Sequence, residues 1–524
     1  MVLLLWIFAC YWNMGKAFHM DDTGHMEIAR WIASNPLHPM SGMLSWGADF
    51  EPIYKTNQPH LYFYLMAIWA SLFGWSEISM HALMSLFTFL AIYGFYRLAS
   101  YLSPASPIIP TALFALSPAF VAGQNSMVDV PVVAVWIAFY WALLNPRLGE
   151  KKRYFVAGLL CSAAVLIKYS SLALLPALFL HMILRRQFRQ LGWTLLPIIA
   201  LALWSAFNYY DYGGVHILGR SVGDRTSTLS ALAVSWLGIL GAITPFAVLA
   251  VVGMIYRSTT LPARIAYSLL TVFNLATFAT IFWFFVALPS NDVEINKLLR
   301  WLFLVNGATL IVLIVGYSVK KAARRNLDIT QLTLLYWIVS SATFIVVFAP
   351  FMATRHVLLS LPPVILLLYA WVVDGKVPRQ FVAACIALTF VVTALLATAD
   401  DWYAETYRKQ AAFIATNMPK QSTIWFNGNW GWQWYATQAG MHQISLLGDR
   451  PKPRPGDYVV APQHVCCELP ISTEINLEPY RKVVVSRETR ASHFASWDFY
   501  LSDSQPWGYY HNPIDVFLIS RVVY

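Results

Sequence analysis

The chain has 524 residues, of which 58% are hydrophobic and only 12% are charged, and its mean hydropathy is +0.54. Soluble domains carry about 25% charged residues, so this composition excludes an ordinary soluble protein and indicates a polytopic membrane protein. The formal net charge of +10 does not indicate nucleic-acid binding, because the cations are concentrated in short loops between apolar runs.

Neither a signal peptide nor a disulfide framework is evident. The first apolar segment, residues 2–18, lacks a preceding basic region and a small-residue cleavage site, so we expect a retained first span. Three of the five cysteines lie in apolar runs, as packing residues do, and the adjacent Cys466 and Cys467 are assigned no role. The three are Cys10, Cys161 and Cys385.

Thirteen apolar runs are long enough, or nearly long enough, to cross a bilayer. Several are shorter than the roughly 20 residues that a straight span requires, which favours half-buried helices around a cavity. The runs lie at about 2–18, 79–100, 108–122, 131–144, 154–167, 171–184, 191–208, 233–256, 265–288, 301–319, 331–349, 357–373 and 380–398.

Clusters of basic residues mark every second connection, so we expect these connections to face the cytoplasm. The alternate connections then face outward, including the first loop, 19–78, and the tail from residue 400. Residues 60–73 are predicted as an amphipathic helix on the outer face, because a fourteenth span there would reverse the basic loops. These loops contain Arg147/Lys151/Lys152/Arg153, Arg185/Arg186/Arg189, Arg257/Arg264, Lys320/Lys321/Arg324/Arg325 and Lys376/Arg379.

The composition changes from Asp400 onward, where charged and polar residues return. Residues 452–457 are typical of a turn, and residues 458–461 and 482–486 are typical of strands. The sequence therefore predicts an all-α membrane domain of about 13 transmembrane helices over residues 1–399. A small soluble α/β domain over residues 400–524 is predicted on the extracytoplasmic side.

Unusual polar residues gather on the predicted outer face. Residues 20–27 read MDDTGHME, and ionisable side chains beside a bilayer are costly and mark functional sites. Asp129, Lys168 and Arg355 lie at the outer ends of later runs. A carboxylate can take a proton from an acceptor hydroxyl, while fixed cations stabilise an anionic leaving group such as a phosphate. The pattern therefore favours an enzyme with a lipid-linked phosphate donor.

The same residues resemble motifs of the GT-C glycosyltransferases, especially the branch with the lipid A aminoarabinose transferase and the protein O-mannosyltransferases. The family's Asp-Glu-Thr-x-x-Ala-Glu-Ile-Ala is DDTGHMEIA at residues 21–29, and its Leu-Asp-Pro is VDVP at residues 128–131. Its Thr-Lys-Gly is IKY at residues 167–169, and its Arg-Tyr-x-x-Pro is RHVLLS at residues 355–360, where His356 replaces the tyrosine. Its Lys-Pro-Pro-like element is NQP at residues 57–59, where Lys55 stands in for the missing lysine. The resemblance covers roughly residues 1–400.

This resemblance implies a GT-C type fold and a periplasmic C-terminal domain. It implies transfer of a sugar from a polyprenyl-phosphate-linked donor to a lipid, glycan or protein acceptor outside the inner (plasma) membrane. A single activating carboxylate favours inversion of the anomeric centre. The resemblance implies Asp21 as the principal catalytic acid, Asp129 as a second acid and Lys168 as a contact to the lipid phosphate. The further candidates are Asp22 as a catalytic acid, Arg355 and Lys55 as donor-phosphate contacts, and His25 and Arg225 as possible site residues.

Several alternatives stay open. Asp21 and Asp22 could simply cap a helix, and Lys168 and Arg355 could be interfacial anchors. A divalent metal ion could bind among Asp21, Asp22 and Asp129, since carboxylate oxygens suit such ions. Tryptophans in the tail could stack on sugar rings or form a core. A secondary transporter is the rival function, although transporters place charges near the midplane and often show internal repeats.

Overall fold

A computed structural model describes residues 1–524 except 47–48, 221–226, 243–245, 288–290, 448–449, 466–468, 470–474, 495–498 and 501–504. Helices dominate the first four-fifths of the described chain. In order, the α-helices are α1 (Val2–Tyr11), α2 (Asp22–Ser34), α3 (Leu61–Phe73), α4 (Glu77–Leu102), α5 (Ile108–Ala115), α6 (Pro118–Ala122), α7 (Asp129–Leu144), α8 (Glu150–Ile167), α9 (Leu174–Leu184), α10 (Leu195–Tyr212), α11 (His216–Gly219), α12 (Leu229–Ala242), α13 (Phe246–Arg257), α14 (Leu261–Ala287), α15 (Asp292–Ala323), α16 (Ile329–Phe348), α17 (Thr354–Val357), α18 (Leu361–Leu368), α19 (Arg379–Asn417) and α20 (Trp430–Gln438).

Five helical segments of the described chain are long and apolar enough to cross a membrane, or six if α12 and α13 form one broken span. Each predicted apolar run contains helix, but several of these helices have only 10–17 residues. The prediction of a helical, multi-pass membrane protein is therefore confirmed, whereas the count of thirteen spans stays a prediction. The five segments are α4, residues Phe188–Tyr212, α15, α16 and α19.

The helix α3 occupies the segment predicted to lie on the outer face. Its 13 residues extend about 20 Å, which is shorter than the roughly 30 Å hydrocarbon layer. The predicted amphipathic pattern is wrong, because the exposed face is also apolar and includes Ile68 and Leu72 at 59% and 71% exposure. A short helix that is apolar on all sides suits burial against protein on one face and lipid on the other.

Close contact between helices holds the centre of the membrane domain together. The helices α12 and α15 approach so closely that a Cβ at Gly241 would lie 2.0 Å from the Phe303 carbonyl oxygen. A Cβ at Gly307 would lie 1.8 Å from the Leu237 carbonyl oxygen. Small residues permit this backbone approach, which supplies packing energy in a lipid environment where the hydrophobic effect between helices is absent.

The end of the chain forms a sheet of five strands. These are β3 (Ile424–Phe426), β4 (His442–Gln443), β5 (Tyr458–Pro462), β6 (Leu477–Val485) and β7 (Asp515–Val522), in the order β4-β3-β5-β7-β6. The strand β3 is parallel to β4 and β5, and β7 is antiparallel to β5 and β6. An earlier hairpin, β1 (Met43–Ser45) with β2 (Phe50–Pro52), lies in the first loop. The two predicted strands correspond to β5 and part of β6.

The composition change at Asp400 does not coincide with a break in the helix. The helix α19 continues through residue 400 to Asn417, and the sheet begins only at Ile424. The helix α20 packs against α2 and α19, and the Gln433 side chain donates a hydrogen bond of 2.5 Å to Glu27. The C-terminal domain is thus in direct contact with the first loop. The division at residue 400 and the side of the membrane stay predictions.

Candidate active site

Asp21 stands at the N-cap of α2 without capping it. Its side chain makes no capping hydrogen bond; instead, one carboxylate oxygen lies 3.0 Å from an Nη of Arg355. The preceding residue, Met20, is buried and has a φ of 50°, a left-handed conformation that is costly for a residue with a Cβ. The backbone is therefore held in an unfavourable conformation at the point that presents Asp21, and capping alone does not explain this carboxylate.

Asp129 and Lys168 meet at the ends of two neighbouring helices. Asp129 begins α7, and Lys168 follows the last residue of α8, which packs against α7. The Lys168 ammonium lies 2.7 Å from Asp129 Oδ1, and Arg355 Nε lies 3.7 Å from Asp129 Oδ2. Four residues from four separate parts of the chain therefore form one network, named here the acid–base cluster: Asp21, Asp129, Lys168 and Arg355.

The acid–base cluster is balanced in charge but uneven in exposure. Its two carboxylates face two permanent cations, which offsets the cost of partial burial. The side chain of Asp21 is 24% exposed, against 8% for Asp129. Lys168 and Arg355 are intermediate, at 19% and 14%. Asp21 is therefore the carboxylate that an acceptor can reach more easily, and Asp129 is better placed to hold the two cations.

Asp22 has a different environment from its neighbour. It is fully buried, and its Oδ2 accepts a hydrogen bond of 2.9 Å from the backbone N–H of His19. Burial raises the pKa of Asp22 to about 8, although this hydrogen bond and the nearby Lys16 act in the opposite direction. Among the described residues Asp22 forms no ion pair with Lys168 or Arg355. Its position favours a supporting role in the loop over direct contact with a substrate.

His25 lies beside the acid–base cluster, on the first turns of α2. Its Nδ1 is 3.3 Å from the Ser126 carbonyl oxygen, and its ring stacks on Trp46. Burial lowers the pKa of His25, more strongly than the nearby Asp21 raises it, so the ring is neutral at pH 7. His25 is therefore suited to packing between the first loop and the segment that precedes Asp129.

Two predicted contacts are not part of the acid–base cluster. Lys55 is exposed, and no hydrogen bond or ion pair joins it to the four cluster residues in the described part of the chain. Arg225 lies outside the described residues. The role of Lys55 as a phosphate contact thus has no support in this conformation and stays a prediction.

Behind Lys168 lies a layer of residues, in which sequence reasoning missed Tyr169 and His216. The Tyr169 hydroxyl lies 2.8 Å from His216 Nδ1, and His216 Nε2 lies 2.7 Å from the Thr56 carbonyl oxygen. Arg220 lies 4.8 Å above the Tyr169 ring and also donates to the Asn57 backbone carbonyl at 3.2 Å. This layer ties the loop after α10 to residues 56–57 and fixes the chain next to Lys168. Only the position of Tyr169 directly after Lys168 could have indicated it.

A second missed feature is a buried ion pair below the first loop. Lys16 pairs with Asp400, and their side chains are 2% and 8% exposed. The Lys16 ammonium also donates to Asn125 at 2.6 Å, and the Tyr500 hydroxyl donates to Asp400 at 2.9 Å. Lys16 precedes Asp21 by five positions, and Asn125 precedes Asp129 by four. This network therefore fixes the two chain segments that lead to the carboxylates of the cluster. Lys16, a lone charge that directly follows the first apolar run, was the available signal in the sequence.

The predicted metal ligands do not come together in this conformation. Both oxygens of Asp129 face cations, and Asp22 is engaged with the backbone of His19. Within the described residues, no group of three histidine, cysteine or acidic side chains is arranged to hold a metal ion. The three carboxylates therefore do not fit the shared metal site that their residue types allowed.

The tail tryptophans form a core. Trp425, Trp430, Trp432 and Trp434 are each no more than 9% exposed. Trp434 packs edge-on against Phe18 at 5.2 Å between ring centroids, with the Arg30 guanidinium 4.1 Å above it. Trp434 therefore packs between the C-terminal domain and the N-terminal part of the chain, whereas Trp425 and Trp432 pack within the C-terminal domain. These buried rings are not available as an open platform for sugars.

Comparison with known proteins adds a family match. Residues 57–210, which include Asp129 and Lys168, match the family described as dolichyl-phosphate-mannose-protein mannosyltransferase. No curated protein matches the chain.

Three solved structures are distantly similar. ArnT from Cupriavidus metallidurans bound to undecaprenyl phosphate is 12% identical with a TM-score of 0.46, over 99% of this chain and 96% of that one. The oligosaccharyltransferase AglB from Archaeoglobus fulgidus is 12% identical with a TM-score of 0.43, over 88% of this chain and 69% of that one. The arabinofuranosyltransferase AftD from Mycobacteria is 14% identical with a TM-score of 0.41, over 100% and 40%. The family match over residues 57–210 by itself confirms the predicted resemblance to the protein O-mannosyltransferase branch, and it supports the predicted enzyme class of glycosyltransferase.

Proposed function

We propose that the chain transfers a sugar from a polyprenyl-phosphate-linked donor to an acceptor hydroxyl or amine on the outer face of the plasma membrane. The observation that carries this proposal is the position of Arg355, which contacts both Asp21 and Asp129. Because Arg355 is attracted to both carboxylates, protonation of either one weakens its attraction for Arg355. The guanidinium can then bind another anion. The matched mannosyltransferase family, described by its dolichyl-phosphate-linked sugar, supports the same donor class.

The proposed step is a single displacement with inversion. The acceptor oxygen (or nitrogen) forms a bond to the anomeric carbon, the bond between that carbon and the phosphate oxygen breaks, and Asp21 takes the acceptor proton. The donor phosphate carries one negative charge as a diester and gains a second as it leaves. Asp21 loses its negative charge when it is protonated, so its attraction for Arg355 weakens as the phosphate becomes more negative. Arg355 is then available to stabilise the leaving group.

Lys168 is proposed to hold the donor phosphate throughout the step. An ammonium has three donors, and in the described chain Lys168 donates one hydrogen bond, to Asp129. Asp129 keeps this charge in place and also attracts Arg355, so both cations point at one region. Electrostatic stabilisation is most effective when the charges are fixed before the reaction, because no reorganisation is then required.

The test is a turnover assay with purified protein in proteoliposomes. Undecaprenyl phosphates that carry different hexoses and pentoses are supplied with cell-envelope lipid and glycan acceptors, and the released undecaprenyl phosphate is measured. We expect release that depends on both donor and acceptor and on Asp21. The absence of release with every donor, from a protein that binds the lipid phosphate, would contradict the proposal. The same vesicles test the rival transporter, which would show substrate counterflow without cleavage of the donor.

A further inference from the structure

A basic groove lies at one end of α15, far from the acid–base cluster. It is a cavity of about 460 Å³, lined by the cations Arg257, Lys320, Lys321, Arg324 and Lys376 together with tyrosine and asparagine side chains. None of the described residues that line it is acidic. These five cations define the basic groove, and they come from the ends of α13 and α15 and from the segment before α19.

The basic groove and the C-terminal domain contact opposite ends of the same helix. Near the start of α15, Asn296 Nδ2 donates to the Tyr509 carbonyl oxygen at 3.0 Å. Lys320 is 24 residues further along, which corresponds to about 36 Å of helix and exceeds the roughly 30 Å hydrocarbon layer. The groove therefore belongs to the membrane face opposite the C-terminal domain, which is the cytoplasmic face on the predicted topology.

Helix-end effects account for only part of this charge. Lys320 and Lys321 in the last turn of α15, and Arg257 at the end of α13, each oppose the negative end of a helix dipole. Lys376 lies beyond the last turn of the helix that ends at Val373, where the effect of a helix dipole is weaker. The nearest acids in the sequence are engaged elsewhere: Asp374 accepts from Ser106 at 2.7 Å, and Asp328 caps α16 through the Gln331 N–H. Five like charges around one cavity repel each other unless an anion lies among them.

Tyr256 and Tyr317 are the aromatic residues among the described lining of the groove, and Trp371 is buried behind Tyr317. Tyr317 stacks on Trp371 with 5.9 Å between the ring centroids. The Lys320 ammonium lies 6.0 Å from the centre of the Tyr317 ring, and the Lys321 ammonium lies 5.7 Å from the centre of the Trp371 ring. Arg257 is fixed by a hydrogen bond of 3.3 Å to the Val372 carbonyl oxygen. Cations with tyrosine and tryptophan beside them are typical of the depth at which lipid headgroups lie.

We propose that the basic groove binds the phosphate of an anionic phospholipid in the leaflet opposite the C-terminal domain. The ligand chemistry is a phosphate ester held by several cations, with the glycerol and upper acyl region against the Tyr256 and Tyr317 rings. This site is separate from the proposed sugar transfer, so either proposal can fail without the other.

The test compares two triple variants, each of which removes three positive charges. Lys320→Gln/Lys321→Gln/Arg324→Gln changes the groove, and Arg147→Gln/Lys151→Gln/Lys152→Gln changes an exposed basic loop on the same predicted side. Each purified full-length protein is equilibrated with mixed phosphatidylglycerol and phosphatidylcholine, and the retained lipids are counted by native mass spectrometry. We expect the unaltered protein and the loop variant to retain phosphatidylglycerol preferentially, and the groove variant to lose this preference by roughly tenfold.

Inorganic phosphate at millimolar concentration provides the second arm, read as a shift in thermal unfolding. If phosphate stabilises the protein through the groove while phosphatidylglycerol does not bind, the phosphate site is supported and its assignment to a lipid is overturned. If both triple variants lose the preference for phosphatidylglycerol equally, the lipid is attracted to basic loops in general, and the proposed site is overturned. Equal unfolding temperatures of the two variants without added lipid verify that the groove variant folds.

Discussion

The Arg355 guanidinium lies 3.0 Å from the Asp21 carboxylate, although 334 positions separate the two residues along the chain. This contact joins the first loop to the segment before α18 and completes a network that also contains Asp129 and Lys168. Asp21 is more exposed than Asp129, so we assign the contact with the acceptor to Asp21 and the binding of the two cations to Asp129.

The first prediction concerns the proton acceptor. Asp21→Asn preserves the shape of the side chain but removes its basicity, so we expect turnover to fall by roughly 10²–10⁴-fold. Asp22→Asn should lower turnover much less, because Asp22 is buried against the His19 backbone and the amide oxygen of asparagine can still accept the hydrogen bond from the His19 N–H. Turnover is measured as released polyprenyl phosphate. Near-normal turnover of well-expressed Asp21→Asn would exclude Asp21 as the base.

The second prediction concerns the leaving phosphate. Lys168→Ala should lower kcat/KM for the donor by roughly 10–100-fold, since a charge-assisted contact contributes about 1.5–3 kcal/mol. The KM for the acceptor should change far less. Arg355→Lys should also impair turnover, because an ammonium cannot contact Asp21 and Asp129 as a guanidinium fork does. Lys55→Ala, at an exposed position outside the cluster, should have the smallest effect. Equal losses toward donor and acceptor in Lys168→Ala would favour an interfacial anchor.

The third prediction concerns the buried pair of Lys16 and Asp400. Lys16→Met leaves Asp400 buried without its cation, so we expect a loss of about 3–5 kcal/mol in the free energy of unfolding. The double variant Lys16→Met/Asp400→Leu should recover much of this loss because both charges are removed. Thermal unfolding in detergent measures each variant, with the exposed Lys151→Met as the matched control. A double variant less stable than both single variants would contradict the account.

The fourth prediction concerns pH. The pKa of Asp22 is about 8 in the folded chain, well above its ordinary value of 3.8, so the folded state binds a proton that the unfolded state has released. Stability should therefore fall as pH rises from about 5 to about 8, by at most about 1.4 kcal/mol per pH unit for this group. Burial also raises the pKa of Glu27, to about 7, which adds a change of the same sign. Unfolding temperature against pH should decline less steeply in Asp22→Asn, which cannot ionise; an unchanged slope would contradict the assignment.

The fifth prediction concerns the side of the membrane. In a cysteine-free background, Lys482→Cys on the exposed strand β6 should react with an impermeant thiol reagent in intact cells. Lys151→Cys, exposed at the start of α8, should react only after lysis. Both variants must react when solubilised. The reverse pattern would place the C-terminal domain in the cytoplasm and would move the acid–base cluster to that side.

Composition and periodic apolar runs were sufficient to predict a helical membrane protein, because lipid requires each spanning segment to be apolar along its own length. Local motifs likewise indicated Asp21, Asp129, Lys168 and Arg355, since charges at the ends of apolar runs are rare enough to be informative. The turn before β5 and the strand itself were also local features, and the structure contains both.

Only the tertiary structure decided which charges meet. Lys168 and Lys55 were both candidate phosphate contacts, but of the two it is Lys168 that pairs with Asp129, because this contact depends on how α7 and α8 pack. The same holds for Asp21 and Asp22, adjacent in sequence but separated by burial, and for Lys16 and Asp400, which pair across 384 positions. Residue type and spacing determine what a side chain can do, whereas exposure, charge partners and backbone strain arise from contacts between distant segments.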